Sequence, residues 1–466
     1  MKNVYFFLAS LFAVVSSECA EPIKAGVATV DITPPVPYRM SGYFSERLST
    51  GVNDPLMAKA VVFGQGDTKA ALVFCDIVGI TARISKEARA RAEKATGIPA
   101  ENIAIMATHS HTGPLYAGML RDFFHKRTVE AHGEDIYEKV DYPEQLMSRL
   151  AEVIGQADEA LKVVQLSAGY AQEDRLSFNR RFHMKDGSVR FNPGVNNPNI
   201  VKVAGPIDPK AGLLLLSGVD APDAALVSFA MHLDTTGGTM YSGDYPFYLE
   251  KRLRKDLGKD FVSMFGAGTC GDLNHVDVTT KERRSADQIG GLLGETLAGA
   301  LTDLPEIRNG SLAAAREVVR APLKKFGEEE IAEARRNFPK VDKGNLPFLD
   351  RVQAYSIMDV LSREGTHLEL EVQAFRISRE VAIVTVPGEV FVELGLEIQK
   401  ASPFETTILF ELANDAPGYL PTKKAFGEGS YETVNSRIQA GGGEMVAQAA
   451  VRLLKDLNLF ELSPSK

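Results

Sequence analysis

The chain has 466 residues, 44% of them hydrophobic, enough to bury a large core in two or three domains or in one large α/β unit. Its 52 Lys and Arg against 61 Asp and Glu leave a net charge of -9. No basic block runs along the sequence, which excludes a surface built to track a nucleic-acid backbone.

From the first residues, Lys2, the apolar run 4–15 and the stretch Ser16, Ser17, Glu18, Cys19 and Ala20 have the charge, greasy core and end of a secretory signal. The run is too short to cross a bilayer. The expectation is cleavage near Ala20, leaving residues 21–466 as one body in the periplasm or outside the cell, with no transmembrane segment. Cys75 and Cys270 then remain, too few for a disulfide framework. Cys75 lies in an apolar run and reads as core.

In chain order, a strand is predicted over 70–80, a helix over 85–96, a strand over 103–108 and a helix over 143–161. Strands over 226–232 and 261–265 follow, then helices over 285–301 and 328–337. The last part predicts a strand over 381–386, a helix over 389–400, a strand over 407–412 and a helix over 444–457. Strands alternating with helices predict an α/β fold, a layered mixed β-sheet body with flanking helices. No repeat or Pro/Ser-rich linker divides it.

Polar clusters begin where the apolar runs stop. Ile103, Ile105, Ala107, His109 and His111 share a strand face by alternation, so two imidazoles extend an apolar face. The run 226–231 delivers His232, and the run 261–265 leads into Gly266, Gly268, Cys270, Gly271, Asp272, Asn274 and His275. Val386 leads through Pro387 and Gly388 to Glu389, and Leu412 leads to Asn414, Asp415 and Tyr419. Carboxyl ends of strands are where open α/β sheets assemble their sites, so these exits point to one pocket. Four of the 8 histidines fall there, the composition of a mononuclear zinc site completed by a carboxylate.

Two other readings compete. Gly266, Gly268 and Gly271 match a dinucleotide-loop spacing, but Asp272 to His275 stand where an apolar helix should begin, so the glycines are expected to bring backbone amides to a ligand. Cys270 with His275 suggests a thiol nucleophile on thinner grounds.

From Gly26 to about Phe460 the sequence resembles the catalytic domain of the neutral/alkaline, non-lysosomal ceramidase family. The opening Gly26-Val27-Ala28-Thr29-Val30-Asp31-Ile32-Thr33-Pro34-Pro35 and Gly42-Tyr43 are similar to its start. Thr108-His109-Ser110-His111-Thr112-Gly113-Pro114 resembles its Thr-His-Thr-His-Ser-Gly-Pro element. The resemblance implies a Zn2+ cofactor on His109, His232, Glu389 (in Val386-Pro387-Gly388-Glu389) and Tyr419 (in Asn414-Asp415-Ala416-Pro417-Gly418-Tyr419). It also implies that His111, Arg180 (in Asn179-Arg180), Asp272 and Tyr431 (in Tyr431-Glu432) serve the site, to which the strand-exit reading adds His275. The family's Gly-Asp-Val-Ser-Pro-Asn stands here as Gly271-Asp272-Leu273-Asn274-His275, so Asn274 replaces the serine. An amide cannot attack an acyl carbon.

The expected function is therefore zinc-dependent hydrolysis of an amide or ester by water. His111 or His275 would exchange protons, Arg180 and Tyr431 would face developing negative charge, and Asn274 would help hold the oxyanion. The expected partner is a small molecule: an N-acyl lipid or, given Asn274 and an end near Ser465 without the β-rich module of longer members, a soluble conjugate such as a carbohydrate derivative. A non-catalytic binding protein on the same fold is the remaining alternative.

Overall fold

The computed structural model describes residues 21–218 and 222–459, so the expected leader lies outside the described residues. Three sheets organise the chain. The first has the order Ile103–Ala107, Thr68–Cys75, Met57–Gln65, Lys24–Asp31, Lys162–Val163. The second runs Val262–Ala267, Pro222–Phe229, Lys210–Ser217, Gln165–Gln172, and the third Gly310–Pro322, His367–Ser378, Val381–Thr385, Thr406–Phe410.

Each sheet contains one parallel pair: Thr68–Cys75 with Ile103–Ala107, Pro222–Phe229 with Val262–Ala267, and Val381–Thr385 with Thr406–Phe410. Parallel neighbours need a crossover. Here it is supplied in turn by the helices Ala82–Thr96, Tyr245–Leu257 and Val392–Ala401, giving three βαβ units. The helix over Tyr245–Leu257 is absent from the sequence reading; Asp244 caps it and Pro246 sits in its first turn.

The three sheets share one core. Phe63, Leu72 and Met106 from the first, Leu214, Leu226 and Met264 from the second, and Phe375, Ile383 and Phe410 from the third pack together. Helices cover the outer faces. Ala82–Thr96 and Tyr142–Glu159 pack on the first sheet, Tyr245–Leu257 and Ala286–Leu301 on the second, and Val392–Ala401 and Gly442–Leu459 on the third. Strands covered on both faces read as continuous apolar runs, as Val381–Thr385 does, because neither face meets water. The layered mixed α/β architecture is the one expected. No described helix is long and apolar enough to cross a membrane.

Three expectations are corrected. Glu389 does not open a helix: Glu389–Val390 is a short strand parallel to Tyr419–Leu420, and the helix starts at Val392. The first sheet's edge strand ends at Ala107, so His109 and His111 do not share a face by strand alternation; His109 has φ 82°, which breaks the extended run. The glycines of the 266–271 stretch do not carry amides to a ligand. A Cβ on Gly266 would stand 2.4 Å from Phe410 Cδ1 and 2.9 Å from Phe74 Cε1, one on Gly268 3.1 Å from the Ala230 nitrogen, and one on Gly271 2.5 Å from the Glu389 carbonyl oxygen. They allow backbone and rings of adjoining elements to touch, and the next helix begins only at Ala286.

Gly266→Ala should therefore destabilise the protein by about 1–3 kcal/mol through overpacking against the Phe74–Phe410 pair. Urea unfolding measures this, and an unchanged midpoint would mean that the rings have room to move.

Candidate metal centre

The six strands of the three parallel pairs run out into the loops that carry the site. The turn after Thr68–Cys75 supplies the Val78 carbonyl, which lies 2.6 Å from His109 Nδ1. That nitrogen carries the proton in a neutral ring, leaving the His109 Nε2 lone pair free. His109 Nε2 lies 3.0 Å from His232 Nε2 and 3.4 Å from His111 Nε2. Glu389 Oε2 stands 3.5 Å from His109 Nε2 and 3.9 Å from His232 Nε2.

These separations discriminate. Donors about 2.0–2.1 Å from a tetrahedral ion are about 3.3–3.4 Å apart, and the observed spacings scatter around that edge length. The donor chemistry agrees. Glu389 Oε2 is buried and has no hydrogen-bond partner, a costly state for a carboxylate oxygen unless a cation meets it. His109, His111 and His232 form a buried group able to hold a metal ion. His111, expected only as a proton carrier, is thus also placed within ligand distance.

Local structure sets the remaining partners. The parallel bridge puts Glu389 directly opposite Tyr419, and the Glu389 amide donates to the Gly418 carbonyl at 3.1 Å. Gly388 makes the turn at φ 75°, where a Cβ would meet Leu420 Cδ1 at 2.4 Å, so glycine is required. Burial opposes ionisation of Glu389, yet His109, the Tyr419 hydroxyl and Arg180 together hold its carboxyl below the ordinary range. Burial drives the His232 imidazole well below its usual value, reinforced by the neighbouring His109 ring and the Arg180 cation. Burial likewise pushes His111 down to about 4, against the pull of Asp234. Neutral imidazole is the form that binds zinc.

A cleft of about 610 Å³ opens over the cluster, and His109, His111, Glu389, Tyr419 and Tyr431 line it with Tyr43, Tyr116 and Tyr355. Arg180, Asp272, Asn274 and His275 lie outside that lining. Arg180 is enclosed, with its NH2 donating to the Tyr419 hydroxyl at 3.1 Å and to the Gly271 carbonyl at 2.7 Å. Asp272 accepts from the Val392 amide at 2.9 Å and from Asn179 at 2.8 Å, so it pins the start of the helix that follows Glu389. Both polar ends of Asn274 are engaged: Nδ2 donates to Asn192 Oδ1 at 3.0 Å and Oδ1 accepts from the Val276 amide at 3.0 Å. His275 lies within the fields of Asp234 and His232, and burial lowers its pKa.

Cys270 is no thiolate. Its Sγ donates to Glu411 Oε1 at 3.1 Å, and burial together with the Glu411 charge pushes the thiol far up. Two groups were given no role from the sequence. Asp234 Oδ1 lies 3.5 Å from His111 Nδ1 and accepts from Tyr43 at 2.6 Å, while Glu432 binds Arg180. The Asp234 contact lies within charge reach but outside hydrogen-bond geometry, so it acts electrostatically.

The fold has solved counterparts. The neutral ceramidase from Pseudomonas aeruginosa superposes with a TM-score of 0.70 at 19% identity, covering 96% of this chain and 76% of that one. A ceramidase complexed with C2 gives 0.69 at 17% identity, with the same coverage. No protein-family model and no curated protein matches the sequence. The chain has a ceramidase-like fold.

The depressed His111 pKa makes a signed prediction for the chelator-treated protein. Between pH 6.5 and about 4 the unfolded chain binds a proton at this ring that the folded chain does not, so folded stability falls as pH drops through that window. Urea unfolding of the parent should lose up to roughly 3 kcal/mol more than His111→Asn on going from pH 7 to pH 4. Equal losses would show an imidazole of ordinary pKa.

Proposed function

We propose that the chain is a zinc-dependent hydrolase of the neutral ceramidase type, cleaving an amide or ester bond with water as the attacking group. The observation that carries this reading is the buried, unpartnered Glu389 Oε2 facing imidazole nitrogens at 3.5 and 3.9 Å. His109, His232 and Glu389 would hold the ion, with Tyr419 beside Glu389 and His111 at the cleft side. Zinc held there supplies Lewis acidity, which polarises a scissile carbonyl and brings the pKa of water towards about 7.

The chain's own groups supply the rest. His111 faces the cleft with an imidazole kept neutral by burial, so it is in the state to take a proton from the attacking water and return it to the leaving group. Tyr431 offers a hydroxyl in the same wall towards the developing oxyanion. Arg180 acts from behind, through the Tyr419 hydroxyl. Asn274, with both polar ends engaged, leaves the attack to water. An exported location, expected from residues 2–20, belongs to the same proposal.

For the substrate, the ceramidase neighbours support an N-acyl lipid. A second reading, a water-soluble conjugate, draws support from Arg83 and Glu369, which bring charge to an otherwise largely apolar and aromatic wall. Turnover of N-acylsphingosine against water-soluble N-acyl amino sugars separates the two; robust ceramide cleavage would remove the second.

Metal analysis tests the centre itself. The parent should carry about one zinc per chain, and His109→Ala and His232→Ala should lose it together with more than about 100-fold in activity, the upper range for losing a mere outer hydrogen bond. Full zinc occupancy in both variants would defeat the assignment.

A further inference from the structure

We propose that Glu432 is a positioning residue of the metal centre: it locks the Arg180 guanidinium so that Arg180 holds the Tyr419 hydroxyl beside Glu389. The inference rests on the zinc reading above. Glu432 touches neither the cleft nor the imidazoles; its influence passes through two side chains.

The carboxylate is 0% exposed and divided between two arginines. Its Oε1 accepts from Arg180 Nε at 2.9 Å and its Oε2 from Arg181 NH1 at 2.9 Å. A guanidinium is a rigid planar fork, so fixing Nε fixes the direction of the NH2 donors as well. Those donors reach the Tyr419 hydroxyl at 3.1 Å and the Gly271 carbonyl at 2.7 Å. The guanidinium carbon stands 5.5 Å from the Tyr419 ring centre and 5.8 Å from that of Tyr431, so the same plane is held against both rings. Arg181, held by the other oxygen, lies 5.3 Å from the ring of Phe391, two residues beyond Glu389.

Sequence position explains why one carboxylate can do this. Arg180 lies in the gap between the strands Phe178–Asn179 and Arg181–Met184, so it and Arg181 need not point to opposite faces. Glu432 sits in the short helix Tyr431–Val434, beside the tyrosine that Arg180 faces. With water excluded, nothing screens or replaces the charge of Glu432. A glutamine in its place keeps one acceptor oxygen but no charge, so it cannot hold both arginines and the Arg180 fork loses its firm anchor.

The experiment is zinc affinity measured by competition with a chromophoric chelator, on the parent and on Glu432→Gln, Arg180→Lys, Glu428→Gln, Tyr419→Phe and the Glu432→Gln/Tyr419→Phe double variant. Glu432→Gln should weaken zinc binding by about 10- to 100-fold, the range for losing an outer partner of a metal ligand. Glu428→Gln, which touches Arg181 but not Arg180, should stay within about twofold of the parent. In the Tyr419→Phe background the Glu432→Gln change should cost no further affinity, because the hydroxyl through which it acts is gone. Thermal unfolding in excess chelator reports purely structural damage separately. If Glu432→Gln does not fold, Arg180→Lys decides, since a lysine keeps the charge but not the fork, and it should show the same loss. Parental affinity in both variants, or an undiminished loss in the Tyr419→Phe background, overturns the proposal. A parent that binds no zinc overturns the zinc reading instead, and that is seen before any variant is compared.

Discussion

The arrangement depends on keeping one ionised carboxylate, Glu389, largely buried at the floor of the cleft. Neutral imidazoles such as those of His111 and His232 cost little to bury, but a carboxylate oxygen without a donor is expensive. Its charge is answered on one side by the Tyr419 hydroxyl and Arg180, while on the other its free oxygen faces the nitrogens of His109 and His232, where a cation would be held. Arg180 would itself be an unpaired buried cation, and Glu432 answers it. The second oxygen of Glu432 is met by Arg181, which reaches the half-shielded Glu428. Charges thus alternate from the cluster to the solvent, and each buried member has an opposite neighbour.

That alternation is possible because the backbone delivers its members to one place. A βαβ crossover returns the chain to the same end of the sheet, so both strands of each parallel pair release their loops in the same direction. The antiparallel strands mainly widen the sheets, although His367–Ser378 adds Leu368 and Glu369 to the cleft wall. Asn414 ties two of the layers together: its Oδ1 accepts from the Ile105 amide at 2.9 Å and its Nδ2 donates to Gln373 at 2.7 Å. It holds φ 59°, and His109 and Leu412 also have positive φ. Strained backbone of this kind persists where surrounding contacts over-determine it, as they do beneath the cluster.

The parts legible in the sequence were those with a strong local signal. The six strands of the parallel pairs are buried on both faces and read as apolar runs, so their presence was predictable, and so were the polar residues at their exits. Strands such as Gly310–Pro322, with Arg316, Glu317 and Arg320 on a partly exposed edge, carry little apolar signal and were missed. So was Met119–His132, whose polar and apolar residues are poorly segregated. The joint placement of His109, His232 and Glu389 followed from strand exits, but the means did not. A positive φ at His109 and a two-residue bridge at Glu389 are fixed by tertiary contacts, which no periodicity encodes. Glu432 had no signal beyond its place after Tyr431, because a buried carboxylate looks like any surface glutamate until its arginines are located.

The same limit bears on Asn274, where sequence could say which residue stands but not what its side chain does. The two-residue strand Leu273–Asn274 pairs antiparallel with Phe178–Asn179, placing this loop against the segment that leads into Arg180. Within it, the Asn274 amide bridges to Asn192 on one side and to the Val276 amide on the other. A serine hydroxyl is too short to make both contacts, so the asparagine is bound up with the conformation of the loop. A loop so fixed has no freedom to swing a nucleophile into the cleft, and Asn274 has none to offer. Under the proposed hydrolysis, chemistry would fall to groups that face the cleft beside the cluster, where His111 and Tyr431 lie, with the Arg180–Tyr419 contact behind them.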